Sequence, residues 1–237
     1  MKYNRVSIKI SGETMSGSKD GCTFDLDPVM VIGKSIKNVV DSGIGVSIVV
    51  GGGNIIRGRA FTNSKEIQKE TADSMGMLAT VINGMLLRDV LKTIGINSVL
   101  VSNLSLPFNV ESADLTNISR LNDENKVVIF VGGTGLPYFS TDTASVISAL
   151  ISRADVLLKA TKTDGVYDRD PEKHPEAKHI AKLTYDEAIC KNIQIMDQTA
   201  FMLAKTNKLP MIIFSIKEEN CFLRAINGEI KHSIVEG

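Results

Sequence analysis

Val46-Ser47-Ile48-Val49-Val50-Gly51-Gly52-Gly53-Asn54 is a short β-branched run closed by three consecutive glycines. The run reads as a strand, and the glycines let the backbone take positive φ and come close to an anion. Successive N–H groups at such a turn form an anion-binding concavity, above all where a helix begins. Two further turns of this kind are Lys9-Ile10-Ser11-Gly12-Glu13 and Gly132-Gly133-Thr134-Gly135. A fourth segment, Lys159-Ala160-Thr161-Lys162-Thr163-Asp164-Gly165, carries a second lysine. One glycine turn says little. Several at strand ends in one chain of 237 residues imply that several phosphates are held together.

Strands are expected over 3–10, 46–50, 98–101, 127–131, 156–160 and 211–216. Several are unbroken apolar runs, as parallel strands covered on both faces require. Helical patterns fall between them. Asp27 and Pro28 suit an N-cap and first turn for a helix to about Asp41, which Gly43 ends; Ser140 or Thr141 suits the cap of a helix to about Ile151. Further helices are expected near 185–192 and 197–205. This alternation predicts an α/β fold, a three-layer αβα sandwich on a mostly parallel central sheet, with ligands at the carboxyl ends of the strands. No repeat or linker divides the sequence, so residues 1–237 read as a single domain.

Residues 72–94 stand apart. Nothing between Asp73 and Arg88 is charged, and apolar side chains occupy more than one helical face. Such a helix is buried, either within the subunit or against a second copy.

Lys and Arg number 27, as do Asp and Glu. No global field therefore draws the protein to nucleic acid or membrane. Cys22, Cys190 and Cys221 are scattered and lack metal spacing, which suits free cytosolic thiols. The N-terminus lacks a signal-peptide core and no apolar run approaches membrane-spanning length, so a cytoplasmic protein is expected.

Gly33-Lys34-Ser35 mimics the tail of a Walker A loop, but Pro28 stands where its first glycine belongs and the segment reads as helix. Lys9 and Lys162, each at a strand end, are either solvated flanks or two cations around one transferring phosphoryl group. An exposed ion pair is worth roughly 0–1 kcal/mol, a preorganised donor aimed at transition-state charge about 2.7–4 kcal/mol. Arg57, one turn after Gly53, can grip phosphate oxygens in bidentate fashion. The stretch 134–141 offers small donors and a rigid turn before a helix, suited to a phosphate and a planar base. Asp164-Gly165 reads as a hairpin turn, and Tyr167 as a wall for a nucleobase. Asp142 and Asp197 either hold Mg²⁺ waters and orient the lysines or cap helices. His174, His179 and His232 lie outside the glycine turns, which disfavours a histidine base. An acceptor that is itself a phosphate needs none, because its oxygens are already ionised.

Taken in order, Lys9 to Glu13, Gly51 to Asn54 with Arg57-Gly58, Asp73 before Met75-Gly76-Met77-Leu78-Ala79-Thr80, Thr134-Gly135 through Thr141-Asp142, and Lys159 to Lys162 resemble the bacterial UMP kinases of the amino-acid kinase superfamily. The resemblance covers essentially the whole chain. It implies transfer of the γ-phosphoryl of MgATP to UMP, giving UDP and ADP for pyrimidine nucleotide supply. By the same resemblance Lys9 and Lys162 stabilise the transferring phosphoryl group, and Asp142 and Asp197 are the carboxylates expected to act catalytically beside them. Lys9, Ile10, Ser11, Gly12, Gly53, Arg57, Thr161, Tyr167 and Asp170 hold ATP. Gly52, Asp73, Thr134, Gly135, Leu136, Pro137, Tyr138, Phe139, Ser140 and Thr141 hold UMP, with Asp73 on the ribose. No protein side chain is expected to ligate the metal directly, and the ATP side falls mainly in 155–237. The resemblance also implies homohexamers built from dimers through 75–87, UTP inhibition and GTP regulation. Leu136, Ser74 and the stretch 20–23 depart from the family pattern. Two competing readings are a kinase for a carboxylate such as glutamate or acetylglutamate, and a nucleotide sensor without turnover. The lysine reading predicts that Lys9→Ala loses about a hundredfold or more in rate with little change in stability, checked by steady-state kinetics beside thermal unfolding.

Overall fold

The first strand, β1 (Arg5–Ile10), lies between β2 (Gly45–Val50) and β6 (Val156–Thr161), parallel to both. The computed structural model describes residues 3–16, 25–56 and 66–237. Among these the helices are α1 (Leu26–Asp41), α2 (Lys69–Thr93), α3 (Leu115–Asp123), α4 (Thr141–Ile151), α5 (Tyr185–Cys190), α6 (Gln198–Thr206) and α7 (Cys221–Asn227). The remaining strands are β3 (Ser98–Ser102), β4 (Val110–Ser112), β5 (Val127–Phe130), β7 (Val166–Tyr167), β8 (His179–Ile180), β9 (Lys182–Thr184), β10 (Met211–Ser215) and β11 (His232–Glu236). The main sheet runs β4-β3-β5-β2-β1-β6-β10-β11-β9, and only the β10–β11 pairing is antiparallel. From β1 the chain builds one side of the sheet, then crosses back to β6 and builds the other. The order therefore reverses between β1 and β6, the place where open α/β sheets hold ligands.

The pleat decides which residues reach that place. Val6, Ile8 and Ile10 point with Val156, Leu158 and Ala160 into the core beneath α1, α2 and α7. Ser7 and Lys9, and Leu157 and Lys159, face the opposite layer because successive side chains alternate. There α4 packs on β1, β2 and β6. Its buried Ala144, Ser145, Ser148 and Ala149 are small, as are Ser7 and Ser47 below it. Small residues let the helix come close to the sheet.

The sequence-based strands over 46–50, 98–101, 127–131, 156–160 and 211–216 are present within a residue or so of their ends, while the first begins at Arg5, not Tyr3. The cap of α1 is Asp25, whose carboxylate accepts from the Asp27 N–H; Asp27 and Pro28 lie inside the first turn. Asp164-Gly165 is not a two-residue hairpin, because β7 pairs with β8 and belongs to a separate small sheet. Strands β4, β9 and β11 and helices α3 and α7 were not anticipated. Helix α2 corrects another expectation. At 25 residues it is, by length and composition, long and apolar enough to cross a membrane. It instead packs along α1, β2, β3 and β5, burying Thr80, Asn83 and Gly84 among its apolar residues.

Gly84 marks its tightest approach to the sheet: a Cβ there would stand 2.2 Å from Val131 Cγ1. Gly84→Ala is therefore expected to cost about 1–3 kcal/mol of stability through overpacking. Urea unfolding measures this, and an unchanged midpoint would remove the close contact.

Candidate active site

Lys9 and Lys159 occupy paired positions on adjacent parallel strands, so their side chains leave the sheet together. Both are buried. Above them Asp142, in the first turn of α4, takes Lys159 Nζ at 2.7 Å on Oδ2 and Lys9 Nζ at 3.5 Å on Oδ1. Burial alone would push the Asp142 carboxyl up; the ammonium groups of Lys159 and Lys9 overcome it and hold the group below the ordinary aspartate range. Burial pulls Lys159 below the ordinary lysine range, opposed by Asp142 and helped by the charge of Lys9. A carboxylate thus holds two cations side by side.

The N-terminus of α4 is itself fixed. The Ser140 hydroxyl caps it, accepting from the N–H groups of Asp142 at 2.9 Å and Thr143 at 3.1 Å. Ser140 and Thr143 then donate their hydroxyl protons to Asp197, which also caps α6 by accepting from Ala200 N–H. Asp197 thus joins two helix ends, the capping alternative left open for it above, and its charge also acts on Lys159. Ser140, expected on the acceptor, serves the same cap.

The glycine turns interlock. Gly51 N–H donates to the Ile10 carbonyl at 2.8 Å, while the Ile10 side chain is in the core. A Cβ on Gly12 would stand 2.8 Å from Gly51 O and Gly53 N and 2.5 Å from Asn54 Oδ1, so only glycine fits. Buried Asn83 from α2 donates to the Gly51 carbonyl at 2.6 Å and to Asn54 at 2.7 Å, locking the turn from outside.

Around this frame lie three joined cavities. The central one, about 410 Å³, is lined by Lys9, Ser11, Glu13, Asp142, Lys159 and Lys162 among others. Lys162 lines the same cavity, exposed and paired with Glu13 at 2.9 Å. Lys9 and Lys162 therefore share one space. A second cavity, about 340 Å³, is lined by Gly52, Gly53, Asp73, Gly133, Phe139 and Thr141, and meets the first at Glu13 and Thr141. A third, about 520 Å³, is bounded by Tyr167, Asp170 and Asn192 and joins the first at Thr163, Gln194 and Ile195.

The remaining expected residues distribute as follows. Thr161 lines the central cavity, its hydroxyl donating to the Thr163 carbonyl at 2.7 Å. Gly53, expected on the ATP side, lines the second cavity with Gly52. Thr134, Gly135, Leu136, Pro137 and Tyr138 form the outer turn over that cavity and are not among its lining residues. Tyr167 bounds the third cavity, and its phenol oxygen accepts from Lys231 Nζ at 3.0 Å. Arg57 and Gly58 lie outside the described residues, as do Cys22 and the stretch 20–23.

Sequence reasoning missed Lys159, Glu13, Thr143 and Asn83. For Lys159 a signal existed: a lysine inside a buried strand must meet an anion. Among the described residues no three His, Cys, Asp or Glu side chains gather as a metal cluster. The carboxylates of Asp142 and Glu13 at the central cavity fit an outer role toward a phosphate-borne Mg²⁺, which would neutralise phosphate charge when bound.

Comparison with known proteins follows this geometry. A family model described as "Amino acid kinase family" matches residues 4–215. The chain is 42% identical over 226 residues to the uridylate kinase of Sulfurovum sp. (strain NBC37-1), covering 95% of this chain and 96% of that one. It is 40% identical over 238 residues to the uridylate kinase of Rickettsia conorii (strain ATCC VR-613 / Malish 7), covering 100% and 97%. Among solved structures it resembles the UMP kinase from Ureaplasma parvum, with TM-score 0.93 and 32% identity over the full length of both. The UMP kinase from Bacillus anthracis gives 0.92 and 34%, covering 99% of this chain and 96% of that one.

Asp142→Asn leaves two buried ammonium groups without their anion and is expected to cost about 3–5 kcal/mol. Because the folded pKa of Asp142 lies below the unfolded value of about 3.9, its contribution is complete above that pH. It is lost as pH falls through the folded pKa. Stability measured from pH 6 down to pH 2 should therefore fall less steeply in Asp142→Asn at the acid end; parallel curves would refute the pairing. The burial of Lys9 also revises the stability half of the Lys9→Ala expectation, since that variant removes part of the same cluster.

Proposed function

The chain belongs to the amino acid kinase family, and within it to the uridylate kinases, and on that premise we propose how its own residues move a phosphoryl group from ATP to UMP. The enzyme makes UDP and ADP from UMP and ATP, a step of pyrimidine nucleotide metabolism. The whole sheet acts as one domain, with the acceptor served by the side of the sheet before β6 and ATP mainly by residues 155–237. UMP occupies the cavity with Gly52, Asp73 and Phe139, its ribose on Asp73 and its phosphate toward Thr141 and Glu13. The ATP phosphates lie in the central cavity, and the adenosine lies toward Tyr167 and Asp170.

The observation that carries this reading is the cation pair Lys9–Lys159 on Asp142, lining the central cavity together with Lys162 and with Glu13 and Thr141, the residues at which that cavity meets the second. A UMP phosphate oxygen, already ionised, forms the new P–O bond as the bond from the γ-phosphorus to the ADP oxygen breaks. No proton needs to be removed from the nucleophile. Negative charge on the migrating group's oxygens is met by ammonium groups that Asp142 holds in place beforehand, and preorganised charge of this kind lowers the barrier. Lys162 exchanges Glu13 for phosphoryl oxygens when the nucleotide enters. Magnesium arrives with ATP and supplies further neutralisation when bound.

We extend the proposal to assembly, regulation and setting. The face of α2 away from the sheet exposes Leu78 and Ile82, and such an apolar stripe suits a second copy of the helix. That supports a dimer and, through it, the family's hexamer. UTP shares the uridine of UMP and so competes on the acceptor side. GTP regulation is carried into the proposal from the family resemblance alone. The free Cys190 and Cys221 agree with a cytoplasmic setting.

Coupled assays with ATP should give ADP from UMP but not from glutamate or acetylglutamate; turnover of glutamate alone would overturn the assignment. Lys162→Ala is expected to lower kcat about a hundredfold, on the scale of one lost transition-state donor. Its unfolding midpoint should not change, because the side chain is exposed.

A further inference from the structure

Tyr138 has a backbone that tyrosine seldom takes, with φ at 71°, in the left-handed region. Three contacts, all to the start of α2, surround it. Its N–H donates to Asp73 Oδ2 at 2.8 Å. Its phenol donates to the carboxylate of Glu70. Lys69 Nζ lies 5.4 Å from the ring centroid and pairs with Asp73 at 3.1 Å. The neighbouring Phe139 lines the second cavity, as does Asp73 itself. A non-glycine residue persists in this conformation only where its surroundings over-determine it, and such residues concentrate at functional sites.

We propose that Glu70, with Lys69 beside it, is a positioning residue for the nucleoside monophosphate: by latching the Tyr138 phenol it fixes the backbone that aims Tyr138 N–H at Asp73 and sets Phe139 at the cavity wall. This rests on reading the second cavity as the acceptor side. Tyr138 N–H and Lys69 hold Asp73 Oδ2, and the longer 3.5 Å contact from Lys69 is the bond shown to Oδ1 among the described residues. That oxygen has capacity left for a ribose hydroxyl. The phenol holds Glu70 below the ordinary glutamate range, and the carboxylate holds Tyr138 above the ordinary phenol range. The bond therefore keeps its donor and acceptor throughout the neutral range. Neither Glu70 nor Lys69 touches the substrate in this arrangement, so the effect belongs to binding and not to the chemical step.

The test uses Glu70→Ala, Glu70→Gln and Tyr138→Phe in the full chain. Without ligand, hydrogen–deuterium exchange across 133–140 should be faster in Glu70→Ala than in the parent protein. In steady state KM for UMP should rise about three- to tenfold, what one net hydrogen bond converts to. The kcat value and KM for ATP should stay put. Glu70→Gln, which keeps an acceptor oxygen, should recover most of the loss, and Tyr138→Phe should reproduce it without adding to Glu70→Ala in the double variant. Unchanged exchange, an equal rise in KM for ATP, or additive effects in the double variant would overturn the latch. A parent protein that makes no ADP with UMP would overturn the functional reading instead, while the exchange experiment still decides the latch.

Discussion

A single carboxylate between two ammonium groups sets the terms for everything around it. One carboxylate faces both ammonium groups of the buried Lys9–Lys159 pair, and burial still pulls Lys159 below the ordinary lysine range. Burying charge is costly unless it is paired. A polyanion entering the cavity relieves that cost, so the folded protein is prepared for phosphate before any arrives. Several otherwise unrelated features serve this arrangement. The parallel register puts the lysines level, the small residues of α4 let it sit low on the sheet, and Ser140 and Asp197 fix the first turn that carries Asp142.

The fold was legible because inner strands covered on both sides must be mostly apolar runs: 127–131 is wholly apolar, and 46–50 and 156–160 are broken only by Ser47 and Lys159. The glycine turns were legible for a related reason: Gly12 and the triple glycine stand where backbone meets backbone, and no side chain fits. What stayed hidden lies at the edges and in long-range pairing. Strand β11 runs against β10 near the edge of the sheet and alternates buried with half-buried residues, and β7, β8 and β9 are only two or three residues long. Segments of two or three residues carry no periodicity to read. Helix α3 did announce itself through Asp114, which caps it, and through Ile118 and Leu121 on one face, but it is brief and was passed over.

At the site, sequence reasoning found residues by type and motif but not by partner. Lys9 and Lys162 drew attention as strand-end cations, whereas Lys159, within an apolar run, did not. Yet a lysine there is largely withdrawn from solvent and needs an anion beside it. Asp197 shows the same gap. Its residue type allowed either a cap or a place beside the lysines, and its contacts to Ser140, Thr143 and Ala200 show it joining two helix ends. Capping is local and weakly marked, so a chain offers many candidate caps and few signs of which are joined across 57 residues.

The reversal of strand order between β1 and β6 divides the chain as well as the sheet. Lys9 and Asp142 come before the exposed turn at Arg153, and Lys159 and Lys162 come after it. A break at that turn would leave one fragment with the acceptor pocket and the balanced Lys9–Asp142 pair, and another with the donor pocket and Lys159 and Lys162 without Asp142. Each piece would carry half of a charge pattern that is complete only on reassembly. The topology thereby lends itself to complementation: an enzyme whose turnover reports that two polypeptides have met.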